Sequence, residues 1–195
     1  MAKPPPLVCT IGHSNRPIET FIDLLWSNEV AHVVDVRTVP RSRHNPQFNR
    51  ETLPGSLDAT GVAYTHMPGL GGLRHARIDS PNVGWRNASF RGYADYMQTA
   101  EFAENIARLI DLAALQRCAL MCAEAVPWRC HRAMIADALL ARGIRVEDIV
   151  GPGGRKPRTI TSFARVHGAC ITYPGPLDLF ESAGESLHHR PASPR

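Results

Sequence analysis

The chain has 195 residues, 44% hydrophobic and 21% charged, enough for one sizeable core, and no apolar run in it is long enough to cross a bilayer. The proline-rich start, Met1 to Pro6, lacks the apolar stretch of a signal peptide, so a cytoplasmic protein without membrane association is expected. The net charge of +4 and pI near 9.0 come almost wholly from arginine, Lys3 and Lys156 being the only lysines. Arginine matches phosphate and carboxylate, so an anionic small molecule is the expected partner; charge alone does not make a nucleic-acid binder.

In chain order, Leu7 to Ile11 reads as a strand followed by Gly12-His13-Ser14-Asn15. Pro17 suits a helix start, and Ile18, Phe21, Ile22, Leu24 and Leu25 give that helix an apolar face. A second strand, Val33 to Val36, runs into Asp35, Arg37 and the loop Pro40 to His44. Asn49 is placed to cap a short helix over Arg50 to Leu57, and Val62 to Met67 reads as a third strand. From Gly69 to about Asn87 nothing is periodic, the mark of a lid or binding loop.

Ser89 to Gln98 and Thr99 to Leu115 read as helices, then Cys118 to Cys122 as a strand, Ala133 to Leu140 as a helix closed by Gly143, and Arg145 to Val150 as a fifth strand. Ala169 to Tyr173 is a candidate further strand. Residues 1–181 are expected as a single α/β domain, with 182–195 a polar, disordered tail.

Strands alternating with helices predict a three-layer α/β/α sandwich, Rossmann-like, around a mostly parallel sheet of about five strands. Right-handed crossovers put every strand's carboxyl end on one edge, where ligands bind. The unusual residues follow strands: Gly12 to Ser14, Asp35 to His44, Gly69 to Arg74, Cys122 to Arg132 and Gly151 to Arg158. Scattered polar loops would show no such bias, so the pattern argues for an enzyme or small-ligand site.

The densest stretch is Cys122 to Arg132, a strand-loop-helix junction with two cysteines, a glutamate, a histidine and two arginines. Helix starts favour anions and stabilise a thiolate. Here Cys122 is the expected nucleophile, with Cys130 and His131 beside it and Glu124 or His13 moving protons; Arg129 and Arg132 bind the anion. Asp35, Arg37, Ser14 and Ser42 complete the substrate-binding set expected at the same edge. The opposite reading makes both cysteines inert packing and Asp35–Arg37 an ordinary ion pair.

Gly12-His13-Ser14, Asp35-Val36-Arg37 with Pro40-x-Ser42, and Cys122-x-Glu124 followed by Cys130-His131-Arg132 together resemble domain-of-unknown-function family 488, small bacterial and archaeal proteins. The resemblance runs from about Cys9 to Ile149. It implies one cytoplasmic α/β domain and marks Cys122, Glu124, Cys130, His131 and Arg132 as matching residues, without supplying a reaction. The junction's layout also resembles tyrosine phosphatases and rhodanese-type sulfurtransferases. However, six residues separate Cys122 from Arg129, one more than in the phosphatase loop, and the loop has no glycine.

Two alternatives remain open. Cys122, Cys130 and His131, with His13 as a fourth ligand, form a candidate zinc set or thiol redox pair. Because adjacent Cys130 and His131 are expected to diverge at a helix start, no cofactor is predicted. Arg41, Arg43, His44 and Arg50, with Arg74, Arg77 and Arg155 to Arg158, could instead track nucleic acid. Gly69-Leu70-Gly71-Gly72 and Gly151-Pro152-Gly153-Gly154 match no phosphate-binding fingerprint and read as a hinge and a surface turn. Trp85, Tyr93 and Tyr96 read as core packing rather than a base-stacking surface.

Overall fold

In a computed structural model, which describes residues 6–175, the strands β1 (Leu7–Gly12), β2 (His32–Asp35), β3 (Ala63–His66), β4 (Cys118–Cys122) and β5 (Arg145–Gly151) pair in parallel. The order across the sheet is β3-β2-β4-β1-β5, with a sixth strand, β6 (Gly154–Pro157), antiparallel to β5 at the edge. The helices are α1 (Ile18–Ser27), α2 (Leu53–Asp58), α3 (Ala88–Tyr96), α4 (Ala100–Leu115) and α5 (Arg132–Leu140).

Strand alternation sorts the core into two layers. Cys9, Ile11, Val33, Ala119 and Met121 pack on Phe21, Leu24 and Leu25 of α1 and on Leu53 and Leu57 of α2. On the other face Val8, Val34, Cys118, Leu120 and Cys122 meet Tyr93 of α3, Ile106 and Leu109 of α4, and Met134, Ile135 and Leu139 of α5. This is the expected α/β sandwich. Two helices start on side-chain caps: Asn87 accepts from the amides of Ser89 (2.8 Å) and Phe90, and Thr99 from that of Phe102 (3.2 Å).

The connections leave β1 and β4, which are neighbours, in opposite directions. From β1 the chain passes through α1 on one face to β2; from β4 it passes through α5 on the other face to β5. A crevice therefore opens at the carboxyl ends of β1 and β4. Backbone bonds extend their pairing past the strands, from His13 N to Cys122 O (2.9 Å) and from Ser14 N to Ala123 O (3.0 Å).

Several local expectations differ from the structure. Asn49 does not cap α2: its side chain accepts from Ser42 N (2.6 Å), and the helix begins only at Leu53, ahead of Pro54. Gly151 to Gly154 does form a turn, with Gly153 left-handed (φ 58°), but it joins β5 to a strand that was not expected. The candidate strand near the C-terminus is β8 (Cys170–Thr172), and it pairs with β7 (Arg165–His167) in a separate hairpin rather than joining the main sheet. Asp137 of α5 holds the flanks of that hairpin, accepting from Tyr173 Oη (2.9 Å) and Thr161 N (3.1 Å). The expected tail, 182–195, lies outside the described residues.

Candidate functional site

Cys122 ends β4 with its side chain on the α5 face, and the chain crosses the crevice through Ala123 to Val126. Pro127 then starts a single 3-10 turn, Pro127–Arg129. Cys130 is extended (φ −132°, ψ 147°), whereas His131 is already helical (φ −56°, ψ −17°). That change of backbone between neighbours is why Cys130 and His131 converge instead of diverging: Cys130 Sγ lies 3.6 Å from His131 Nδ1. The donor atoms of Cys122, Cys130 and His131 all lie within 4.8 Å of one another.

Each group around Cys130 has its role set by its other contacts. His131 Nε2 lies 3.0 Å from Val36 O and can only donate there, which leaves Nδ1 facing the sulfur. The imidazole is wedged between the Tyr93 ring, 5.2 Å away, and Gly72, where an added Cβ would sit 2.4 Å from Nδ1. Arg132, 1% exposed, donates from Nε to Cys130 Sγ (3.4 Å) and from Nη2 to the carbonyl of Glu124. Its Nη1 is buried without a hydrogen-bond partner among the described residues.

Among the described residues no carboxylate pairs with Arg132. It also stands at the start of a helix, where the dipole disfavours a cation. A buried guanidinium so placed needs an anion, and the sulfur it touches is Cys130. The Cys130 thiol is accordingly held far below its ordinary value, first by a hydrogen bond from Cys122 and then by His131 and Arg132, against the cost of burial. Cys122 is driven up by donating to Cys130 and by burial. Of the two sulfurs it is Cys130, and not the expected nucleophile Cys122, that Arg132 and His131 touch.

A cavity of about 520 Å³ opens above these sulfurs. Cys122, Cys130 and His131 lie at its wall with Glu124, Arg129 and Ser14, and Ser89 and Phe90 from the start of α3 close it. Glu124 and Arg129 are both exposed; the Glu124 carboxylate accepts from Val126 N (3.2 Å). Gly12 permits the close approach of β1 to this loop, since an added Cβ would fall 2.1 Å from the Glu124 carbonyl oxygen.

The remaining expected residues form a neighbouring closed network. Asp35, fully buried, takes both Nε (2.9 Å) and Nη2 (2.6 Å) of Arg37 and the hydroxyl of Tyr64 (2.9 Å). Arg37 also donates to Phe48 O (2.7 Å) and from Nη1 to His13 Nε2 (3.2 Å). His13 gives its other ring nitrogen to Ser14 O (2.7 Å) and stacks on Phe48 at 4.2 Å. Burial, with the Arg37 charge, lowers its pKa to about 4, and both of its ring nitrogens are engaged. Ser42 accepts from Asn45 N (3.1 Å) and lines a second cavity with Arg41 and Ser14, apart from the sulfurs.

The zinc alternative meets a mixed result. A tetrahedral zinc needs sulfur–nitrogen separations of about 3.5 Å, which Cys130 and His131 have. But zinc with two thiolates and a neutral imidazole is uncharged, which would leave Arg132 uncompensated; one thiolate balances it. Several arginines of the nucleic-acid alternative are already engaged: Arg77 with Asp79, Arg155 with Glu147 and Arg158 with Asp148, while Arg74 lies over the Tyr96 ring. Tyr93 and Tyr96 are buried packing.

A family model, Domain of unknown function DUF488, matches residues 17–139. The chain belongs to this family. The match takes in Asp35-Val36-Arg37 and the whole Cys122–Arg132 junction, and is shorter at both ends than the resemblance read from the motifs. No curated protein and no solved structure matches the chain. Among the described residues of this DUF488 chain no helix is long and apolar enough to cross a membrane.

Sequence reasoning missed Gly72, Ser89 and Phe90 of the cavity wall. Gly72 belongs to the glycine run expected as a hinge, yet it is packed on His131, as Gly69 is on Asn105. Placement of that loop after a strand, at the same edge as the other motifs, was the available signal. The segment is also pinned at its far end, where Asp95 accepts from Arg77 N (2.8 Å), Ser80 Oγ (2.6 Å) and Asn82 Nδ2 (2.8 Å).

Proposed function

We propose that this DUF488 protein is an enzyme that acts on an anionic substrate, a phosphate or other oxyanion-bearing molecule, through the thiolate of Cys130. The observation that carries the reading is the buried Arg132, in contact with Cys130 Sγ and without a carboxylate partner among the described residues. Arg132 holds the thiolate, joined by His131 in its doubly protonated form, Cys122 gives it a hydrogen bond, and Arg129 at the rim meets the substrate's charge. Glu124, exposed on the same wall, is the group available to carry a proton. The covalent step is attack by Cys130 on the substrate, with the group then passing to water or an acceptor.

The test is alkylation of reduced protein, mapped residue by residue, with iodoacetate and with neutral iodoacetamide. Cys130 should react well below the ~8.5 pKa of a free thiol, and iodoacetate should be favoured there relative to a small free thiol. If Cys130 stays protected until a chelator is added, the sulfurs are zinc ligands and the reading fails. Inertness with and without chelator would also reject it.

A further inference from the structure

The proposed function needs one sulfur, and the cavity wall holds two. Both Cys122 and Cys130 line it, and their Sγ atoms lie within 4.8 Å of each other. The other cysteines stand elsewhere: Cys9 and Cys118 are buried on strands, and Cys170 is exposed on the C-terminal hairpin, donating to Gln98. The segment between the pair is loop and a single 3-10 turn, so the sulfurs can close to bonding distance without breaking a sheet ladder or α-helix. A second thiol this near has a use when the intermediate on Cys130 is a mixed disulfide, whose sulfur it can attack.

We propose that Cys122 and Cys130 form a working dithiol whose substrate is an anionic disulfide, Cys130 attacking it and Cys122 resolving the product. This rests on the reading of Cys130 as the thiolate. Cys130 sulfur attacks one substrate sulfur; the substrate S–S bond breaks, and the first half leaves with the electron pair as a thiolate. Cys122 then loses its proton to solvent and attacks Cys130 Sγ. The Cys122–Cys130 bond forms, and the second half leaves as a thiolate. The protein loses two electrons, and the substrate gains them; an external thiol of low molecular weight returns the pair to the reduced state.

Arg132 sets the direction of this couple. In the reduced protein the Cys130 thiolate balances it, whereas the disulfide has no charge and leaves a buried guanidinium alone. The reduced form is therefore favoured, and the oxidised form is a ready oxidant. In that form Nη1, which has no hydrogen-bond partner among the described residues, can take an anionic group of the departing product.

The experiment uses the full chain with Cys170→Ser and the dianionic disulfide dithiobis(nitrobenzoate). Expected are a fast release of two equivalents of the chromogenic thiol, no adduct left on Cys130, and a Cys122–Cys130 peptide pair by mass mapping. Cys122→Ser, which keeps a hydrogen-bond donor beside Cys130, should release one equivalent instead of two and keep the adduct on Cys130; Cys122→Ala, used if the serine variant does not fold, should give the same stoichiometry more slowly. A stable adduct on Cys130 in the protein with both thiols would overturn the dithiol while leaving the thiolate reading intact. No fast release at all would overturn both. The two-equivalent release is read without any site variant, so a misfolded variant does not decide the outcome.

Discussion

Replacing Arg132 by methionine removes the guanidinium while keeping an unbranched side chain of similar length in the buried slot beside Cys130. In a buried carboxylate pair such a change strands a charge and costs about 3–5 kcal/mol. Here the partner is a thiol, which can take up a proton instead, so the fold should lose less and the loss should fall on reactivity. Cys122 and His131 still act on the sulfur, so the return is partial; its limit, an ordinary thiol pKa of ~8.5, would leave about 3% ionised at pH 7, roughly a 30-fold fall in thiolate. The more basic thiolate is intrinsically more nucleophilic, which offsets part of that fall in a single rate. The decisive readout is therefore the pH at which iodoacetamide modification of Cys130 rises, followed by mass mapping across the acid and alkaline range. It should move from well below neutral in the parent toward alkaline pH in Arg132→Met, and Arg132→Lys should recover part of the shift. An unchanged midpoint in Arg132→Met would refute the assignment of Arg132 as counter-ion.

Four further outcomes can be checked. Gly12→Ala pushes a Cβ into the Glu124 carbonyl and should destabilise by about 2–3 kcal/mol in urea unfolding while lowering Cys130 reactivity. Tyr173→Phe leaves Asp137 short of a donor and should cost about 1–3 kcal/mol, with the alkylation profile of Cys130 unmoved. His13, lowered to about 4 from 6.5, gives stability present above pH 6.5 and lost as pH falls toward 4, because the unfolded chain binds the proton first. His13→Gln should flatten that acid limb relative to the parent in pH-dependent melts. Cys9 and Cys118 are pushed up by burial to about 11 and about 12 from 9.0, so stability should fall as pH rises above 9, where only the unfolded chain ionises them.

Much of the architecture was legible because sheet and helix periods differ. The run Cys118 to Cys122 and the apolar face of α1 each admit one reading, and their alternation implies the parallel sheet. The edge strand β6 was not legible, since Gly-Arg-Lys-Pro carries no apolar alternation and is a strand only because β5 offers it an open edge. At the candidate site, the junction's residues stood out as a group, but which of them touch one another did not. Sequence places Cys122 at the strand end and Cys130 near the helix start with equal plausibility; the choice depends on which sulfur Arg132 and His131 touch. The same limit applies to Asp35, Arg37 and His13. Their types suit catalysis, and only the closed pattern of bonds among them shows a frame whose donors are already engaged.

The strand that ends in Cys122 enters the sheet between β1 and β2, with Val8 opposite Cys118 although more than half the chain separates them. Neither neighbour of β4 is reached by a local hairpin, so the crevice exists only after the first half of the protein has closed around a strand from the second. Before that moment Cys130 has no buried guanidinium beside it and no fixed imidazole, since Val36, which orients His131, arrives with β2. On the proposed reading of Cys130, a nascent or partly unfolded chain thus carries ordinary thiols, and the reactive sulfur is a late product of assembly. The thiol reactivity proposed for Cys130 would then report completed folding, and its onset during refolding would date the insertion of β4.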